Sequence, residues 1–542
     1  MRGVTLTPGV FSPFSHSFIE VIPLRKNSLR HLALLGLLLF AFTASPVFCG
    51  VSRALAPGMP EPPQGIELER ILREFETQVE KARIDFGIPG MAVAVIQGDG
   101  VIYAKGFGVK EVGKTDPVDP HTVFQVGSTS KAFTAALVAS LVDEGKVGWK
   151  DRVVTHLPDF AMADPWVTGE FQVRDLMAQH SGMKPYAGDI LAILGYSRED
   201  IVRSTAHLAP VYSFRSEFSY VNNLWVTAAA VVEAKTGKSW EKNLQERILD
   251  PLGMTETSAS REALLRSENA ATFHLPEGNG AKPIPGDWVF FNWPYIYGPA
   301  GGINSNVVDM AKWVRMQLGT GTFEGKQVIG RENLAFTHEP QTPLPGGKNA
   351  YCQGWVKTEY EPCPLVWHNG ATTGSATLVM TAPGLDLGLV ILSNMVTPAP
   401  DSLGMVFMDL YTGKKSPAGH VGAALEGWRK KLAKEALKAS RPKGATPPLP
   451  LPAYAGLYES DLFGTVNLFA RQGRLVLRLG PRSVEVFLKP WNRDNFLVEA
   501  EGLGEEDAGT VRFEVGPDGK AFAFDLLDGD GDVLSRFARK KP

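Results

Sequence analysis

The sequence predicts an α+β fold followed by a separate all-β domain. Three observations carry this. Strand-like runs stand at both ends of the region from about residue 66 to about residue 400, with helix-like stretches between them. Arg441 to Pro452 (RPKGATPPLPLP) then breaks the pattern, its prolines making a semi-rigid spacer. Beyond the spacer, short alternating runs succeed one another to the end of the chain.

Taken in order, Ile66 to Phe86 sets Ile71, Leu72, Phe75, Val79 and Ala82 at helical spacing with charges between them, the pattern of an amphipathic helix. Met91 to Ile96 and Val101 to Lys105 flank Gln97-Gly98-Asp99-Gly100, whose glycines permit the positive φ angles of a tight hairpin. Ala132 to Val142 lacks any charge and continues a helix from its first polar turn. Further helical stretches include Asn222 to Thr236 and Val307 to Leu318, separated by Gly/Pro-rich loops. Strands return at Leu365 to Ser393, where Leu378 to Thr381 and Leu387 to Leu392 flank the turn Gly384-Leu385-Asp386. One sheet closed by both ends of the region follows from this order. After a last helix, Ala423 to Ala439, and the spacer, the runs Thr465 to Phe469, Leu475 to Leu479, Val484 to Leu488 and Ala521 to Leu527 predict a small barrel or sandwich. Asp528-Gly529-Asp530-Gly531-Asp532 opens like a calcium loop, but Val533 and Arg539 occupy its sixth and twelfth positions, so a hairpin turn is the better reading. The expected divisions are a leader at 1–56, a main domain at 57–415, a helix and linker at 416–452 and a β-barrel-like domain at 453–542.

Composition narrows the partners. The 542 residues carry 55 Lys plus Arg against 58 Asp plus Glu, a formal net charge of −3, with no long basic block. Nucleic acid is therefore set aside, since binding it needs a concentrated basic face. Hydrophobic residues at 44% exclude disorder and collagen-like repeats. Near the N-terminus, Arg25, Lys26 and Arg30 precede the uncharged run Leu32 to Ala44, too short to span a bilayer comfortably but suited to a signal peptide. The expected location is periplasmic or secreted, with membrane contact only through an uncleaved signal or a lipid on Cys49. Phe48 stands before Cys49 where lipidation calls for a small residue. Cys352 and Cys363, either side of an expected hairpin, are open to two readings, a disulfide or two separate thiols. No metal site is expected: there is no H-E-x-x-H, and two lone cysteines lack zinc spacing.

The strongest local chemistry is Gly127-Ser128-Thr129-Ser130-Lys131, at the start of the uncharged helix. A spacing of three puts Ser128 and Lys131 on one helix face, where an amine can take the serine proton. Burial in the apolar stretch that follows would disfavour the ammonium form and lower the lysine pKa. The helix N-terminus would favour a developing oxyanion. Alone, S-x-x-K is weak, because a capping serine followed by a surface lysine is commonplace. Two further segments recur in order: Tyr220-Val221-Asn222 opening a helix, and His368-Asn369-Gly370 entering a strand.

With these motifs the chain, over about residues 66 to 400, resembles the serine β-lactamase and penicillin-binding-protein superfamily. The likeness is to its class C-like branch of D-aminopeptidases, DD-peptidases and esterases. Supporting stretches are Phe124 to Ser128, Gln179-His180-Ser181-Gly182-Met183, Phe218 to Asn222, Asp250-Pro251-Leu252-Gly253-Met254 and Pro299-Ala300-Gly301-Gly302. The resemblance implies a class C β-lactamase-like antiparallel sheet with flanking helices and a helical lobe, followed by a lipocalin-like tail. It implies Ser128 as acylated nucleophile, Lys131 as its activating amine and Tyr220 as proton shuttle. The abstracting base is left open between Lys131 and Tyr220, because a tyrosine of ordinary pKa is a poor base unless a neighbouring ammonium stabilises its anion. Asn222 would hold Lys131 and a substrate amide, with helix capping as its plain alternative. Gly370 would let the strand approach substrate, and the N–H groups of Ser128 and Ala371 would form the oxyanion hole.

His368 and Asn369 stand where true β-lactamases carry Lys-Thr, so no fixed cation is available for a substrate carboxylate. The expected function is therefore an exported serine hydrolase acting through an acyl-enzyme on amide or peptide substrates, D-amino-acid peptides among them, without metal or organic cofactor. The alternatives are a carboxylesterase, a weak β-lactamase, or a penicillin-recognising protein that has lost turnover. His180 is read as structural. Trp288 to Tyr297 (WVFFNWPYIY) is read as a packed loop, with a rim for apolar acyl groups as the rival reading. The oligomeric state is left open.

Overall fold

The computed structural model describes residue 55 and residues 58–278, 280–288, 291–414, 418–438, 444–499, 509–529 and 531–540. The proposed signal sequence and Cys49 lie outside the described residues. Among the described residues, no helix is long and apolar enough to cross a membrane.

The main region is α+β, as its alternation of patterns predicts. Its six longest helices up to the linker are α1 (Gly65–Asp85), α2 (Ser130–Asp143), α3 (Asn223–Thr236), α4 (Val307–Leu318), α5 (Ala399–Tyr411) and α6 (Ala418–Lys438). The main sheet is built from β1 (Gly90–Gln97), β2 (Gly100–Gly108), β3 (Thr342–Pro343), β4 (Asn349–Tyr351), β5 (Val356–Thr358), β6 (Leu365–Ala371), β7 (Ala376–Ala382) and β8 (Leu387–Ser393). These eight strands run in the order β2-β1-β8-β7-β6-β5-β4-β3. The two ends of the region meet in the antiparallel pair β1 and β8, in register from Met91 opposite Ser393 to Gln97 opposite Leu387.

Successive strand side chains point to opposite faces, and both faces here are covered. Met91, Val93 and Val95 of β1 join Leu387, Leu389 and Ile391 of β8 in one core, closed by Phe75 and Val79 of α1 and Leu403 and Phe407 of α5. Ala92, Ala94 and Ile96, with Val390 and Leu392, face the other core, built with α2, α3 and α4. Burial on both faces explains why β1 and β8 read as near-continuous apolar runs. The same division decides the cysteines. Cys352 lies in the core that holds α2 and Cys363 in the core that holds α1, so they are two separate buried thiols.

The C-terminal region is a closed barrel, not a sandwich. Its strands are β9 (Gly456–Ser460), β10 (Gly464–Arg471), β11 (Arg474–Leu479), β12 (Val484–Asn492), β13 (Asn495–Glu499), β14 (Thr510–Val515), β15 (Ala521–Leu527) and β16 (Val533–Arg539). Tyr454, Tyr458, Phe496, Phe513, Phe524 and Phe537 are buried and pack ring against ring, Phe524 and Phe537 stacked at 4.5 Å. The turn joining β15 to β16 is the hairpin expected at Asp528 to Asp532, with the Asp528 N–H donating to Asp532 O at 2.9 Å; Asp530 lies outside the described residues.

The barrel docks on residues 184–196 of the main region. Lys184 Nζ donates to carboxylates of both Asp528 and Asp532, the Tyr196 hydroxyl donates to the Phe463 carbonyl at 2.7 Å, and Gly480 packs against Leu194. The segment so held also borders the site described next.

Candidate active site

Ser128 sits on a 3-10 turn, Gly127–Thr129, that runs directly into α2. Gly127 has φ +54°, and a Cβ built there would lie 2.6 Å from the Ala371 nitrogen of β6. Opposite it, a Cβ on Gly370 would lie 2.1 Å from Val126 O. Two glycines thus let the Ser128 turn and β6 touch backbone to backbone. Gly370→Ala is expected to push them apart. It should cost at least about 2 kcal/mol of stability, as overpacking typically does, with most of the activity lost, checked by denaturant unfolding and by turnover.

Among the motifs, His368-Asn369-Gly370 lies within β6, in its second half and not at its start as the sequence pattern suggested. The pairing of β5 with β6 stops at Trp367, so the edge from His368 to Ala371 is not taken up by β5 and faces the Ser128 turn.

Lys131 is fully buried one helical turn from Ser128. Its Nζ lies 3.1 Å from Ser128 Oγ, 2.7 Å from Asn222 Oδ1 and 2.9 Å from the Ala300 carbonyl. A neutral amine can donate its two protons to the two carbonyl-type oxygens and turn its lone pair to the serine hydroxyl. Burial pulls the Lys131 amine down to about 7, a nearby Asp189 carboxylate opposing the shift.

Tyr220 packs under the amine, with Lys131 Nζ 4.7 Å from its ring centroid. Burial raises its phenol well above the ordinary value of 10, and Tyr351 adds to the rise; the Ser128 hydroxyl beside it opposes this. The phenol therefore keeps its proton near neutral pH. Asn222 is not acting as a helix cap: its side chain accepts from Lys131 and donates to Asp189 Oδ2 at 2.7 Å.

His368 is buried, and burial followed by the charge of Lys131 lowers its pKa to about 3, so the ring is neutral. Its Nδ1–H is assigned as donor to the Asn369 carbonyl at 2.5 Å, leaving Nε2 to accept from the Tyr351 hydroxyl at 3.1 Å. Asn369 in turn donates to Asp401 at 2.8 Å. Burial raises the Asp401 carboxyl to about 7.

All seven sequence-predicted residues, Ser128, Lys131, Tyr220, Asn222, His368, Gly370 and Ala371, thus converge on one region. Asp189, Tyr351, the Ala300 carbonyl and Tyr186, whose ring centroid lies 5.5 Å from that of Tyr220, escaped sequence reasoning. Ala300 stood in a quoted motif, but a backbone acceptor carries no side-chain signal; the other three have no spacing that ties them to Ser128. His180 is structural as expected, bound to Asp175 and Thr342. In the aromatic loop, Tyr295 and Tyr297 bond inward to Asn304 and the Gly188 carbonyl, which supports the packed-loop reading; Val289 and Phe290 lie outside the described residues. Among the described residues, no group of three or more His, Cys, Asp or Glu side chains could hold a metal ion.

Comparisons with known proteins agree with this geometry. The Beta-lactamase family profile matches residues 70–406, more than half of the chain, and a domain of unknown function, DUF3471, matches residues 440–534. Similar proteins include the unguisins hydrolase ungD' of Aspergillus campestris, 29% identical over 480 residues and covering 82% of this chain and 88% of that protein. Penicillin-binding protein 4 of Amycolatopsis lactamdurans is 28% identical over 329 residues, covering 59% of this chain and 84% of its own. Among solved structures, the octameric penicillin-binding protein homologue from Pyrococcus abyssi superposes with a TM-score of 0.57 at 20% identity, over 86% of this chain and 100% of that one, a likeness of fold.

Proposed function

The chain belongs to the Beta-lactamase family and is a serine hydrolase, and from that premise we propose that it cleaves amide or peptide bonds through an acyl-enzyme on Ser128. The observation that carries this is the buried amine of Lys131 at 3.1 Å from Ser128 Oγ, which burial brings down to about 7. Ser128 Oγ attacks the carbonyl carbon while its proton passes to Lys131 Nζ, and the carbonyl electrons move onto the oxygen. The N–H groups of Ser128 and Ala371 receive that oxyanion. As the bond to the leaving nitrogen breaks, Tyr220 gives it a proton and regains one from Lys131; water then repeats the sequence on the ester. Lys131 rather than Tyr220 is the base in this scheme, because one pKa is lowered toward neutrality and the other raised.

Asn222 and Gly370 shape the substrate side of the scheme, and His368 supplies hydrogen bonding without charge. A neutral imidazole cannot hold a carboxylate by charge, which favours uncharged amides over the carboxylate-bearing β-lactams. Relatives named as an unguisins hydrolase and as a penicillin-binding protein support a hydrolase; D-amino-acid peptides are the substrates we propose to test first. The leader-like run Leu32 to Ala44 supports export, and N-terminal sequencing of secreted protein should find that run removed.

The test incubates purified protein with a serine-directed fluorophosphonate, D-amino-acid amides, short peptides, p-nitrophenyl esters and a chromogenic cephalosporin. Labelling at Ser128 with amide turnover is expected. Turnover of esters alone would replace the amidase reading by an esterase, and no labelling would point to a binding protein.

A further inference from the structure

Asp189 is a half-buried residue with an inward-turned carboxyl to which the scheme above assigns no part. It precedes a short helix, Ile190–Ile193, within the segment that carries the barrel. Its Oδ2 accepts from Asn222 Nδ2 at 2.7 Å, and the same Asn222 side chain accepts from Lys131 Nζ at 2.7 Å. One amide therefore joins the carboxyl to the amine. The other oxygen, Oδ1, is sealed from solvent and makes no hydrogen bond of ordinary geometry; the neighbouring Tyr297 hydroxyl is given to the Gly188 carbonyl but still acts on this carboxyl. A carboxylate offers about four acceptor sites, and leaving one oxygen bare in a dry interior favours placing a proton on it.

The titratable groups that face Asp189 are Lys131 from α2, Tyr220 ahead of α3, Tyr186 of its own segment and Tyr297. The three phenols are pushed up and stay neutral, so Lys131 is the one cation of this set. Burial raises the Asp189 carboxyl to about 7, opposed by Asn222, Lys131 and the Tyr297 hydroxyl, while its charge raises Lys131 against burial.

We propose that Asp189 is a positioning residue that, through Asn222, sets the proton affinity of Lys131 and so the pH at which Ser128 becomes a nucleophile. This rests on Lys131 being the base. At rest, one proton is shared by the pair: on the carboxyl it leaves Lys131 a free amine, on the amine it leaves a carboxylate that stabilises the ammonium. With the carboxylate beside it the ammonium keeps its proton to higher pH, and only once that proton is lost can Nζ take the Ser128 proton during acylation. A neutral side chain at 189 withdraws the carboxylate that raises Lys131, so the amine must hold its proton more weakly and remain a base to lower pH.

The experiment compares kcat/KM against pH for wild type, Asp189→Asn and Asp189→Ser in the full chain, with folding checked by circular dichroism and Ser128 labelling. The acid limb is expected to move down by about one pH unit in both variants, the lower end for an opposite charge at close range; a purely structural role would lower the rate without moving the limb. In a parallel measurement, carbon-13 spectra of aspartate-labelled wild type should contain a carboxyl that titrates with the acid limb and shifts when Lys131→Met removes the amine. An unmoved limb in a folded variant, or the absence of such a carboxyl, overturns the proposal. Failure of wild type to show Ser128-dependent turnover would instead overturn the reading of the site itself.

Discussion

Ser128→Ala is expected to abolish covalent labelling and to lower kcat by about 10⁵-fold or more, the scale seen when an acyl-enzyme loses its nucleophile. No second group can take over. Thr129 and Ser130 flank the position, but the Thr129 hydroxyl donates to the Val126 carbonyl and the Ser130 hydroxyl accepts from the Ile303 N–H. Both side chains are buried, while Ser128 is partly open to solvent. Stability should change by less than about 1 kcal/mol, since little packing is removed. Mass spectrometry of the probe adduct and single-turnover kinetics check the prediction; residual labelling at another serine in the variant would refute it.

Lys131→Met is expected to lower kcat/KM by about 10³- to 10⁴-fold, the contribution of a well-placed general base. Arginine should not rescue it, because a guanidinium keeps its proton throughout the working range. In wild type, activity should fall as pH drops through about 7, where Lys131 gains a proton and loses its lone pair. The same shift has a stability signature. The folded amine titrates near 7 and the unfolded one near 10.5, so between these values the unfolded chain binds the extra proton. This group alone therefore makes folding more favourable as pH rises through that window, and below about 7 its contribution is at its most unfavourable. The difference in unfolding free energy between wild type and Lys131→Met, followed from pH 6 to pH 10, should show that slope. A flat difference would mean that Lys131 is charged in the folded protein and cannot be the base.

Much of the architecture was legible in the residues because it depends on local periodicity. The amphipathic spacing of Ile71, Phe75, Val79 and Ala82 marks α1, and the Gly98 and Gly100 turn marks the first hairpin. The proline-rich stretch separates the main region from the alternating runs of the barrel. The relation of Ser128 to Lys131 is equally local, since three residues of helix are enough to bring hydroxyl and amine together. Local alternation left a barrel and a sandwich both open, because it describes one strand and leaves its last partner undetermined; the expected barrel is closed by the pairing of β9 with β16.

By itself, then, the sequence picked out motif side chains that meet at one site and the uncharged helix that buries the amine. Tertiary structure alone decided the rest. Lys131 meets Asn222 across 91 residues of chain and the Ala300 carbonyl across 169, and Asp189 enters the same network through Asn222. Nothing in local spacing encodes such meetings. Proton affinity in a buried site depends on which dipoles and charges are brought within a few ångströms and how much water they displace, quantities that exist only once distant segments have packed.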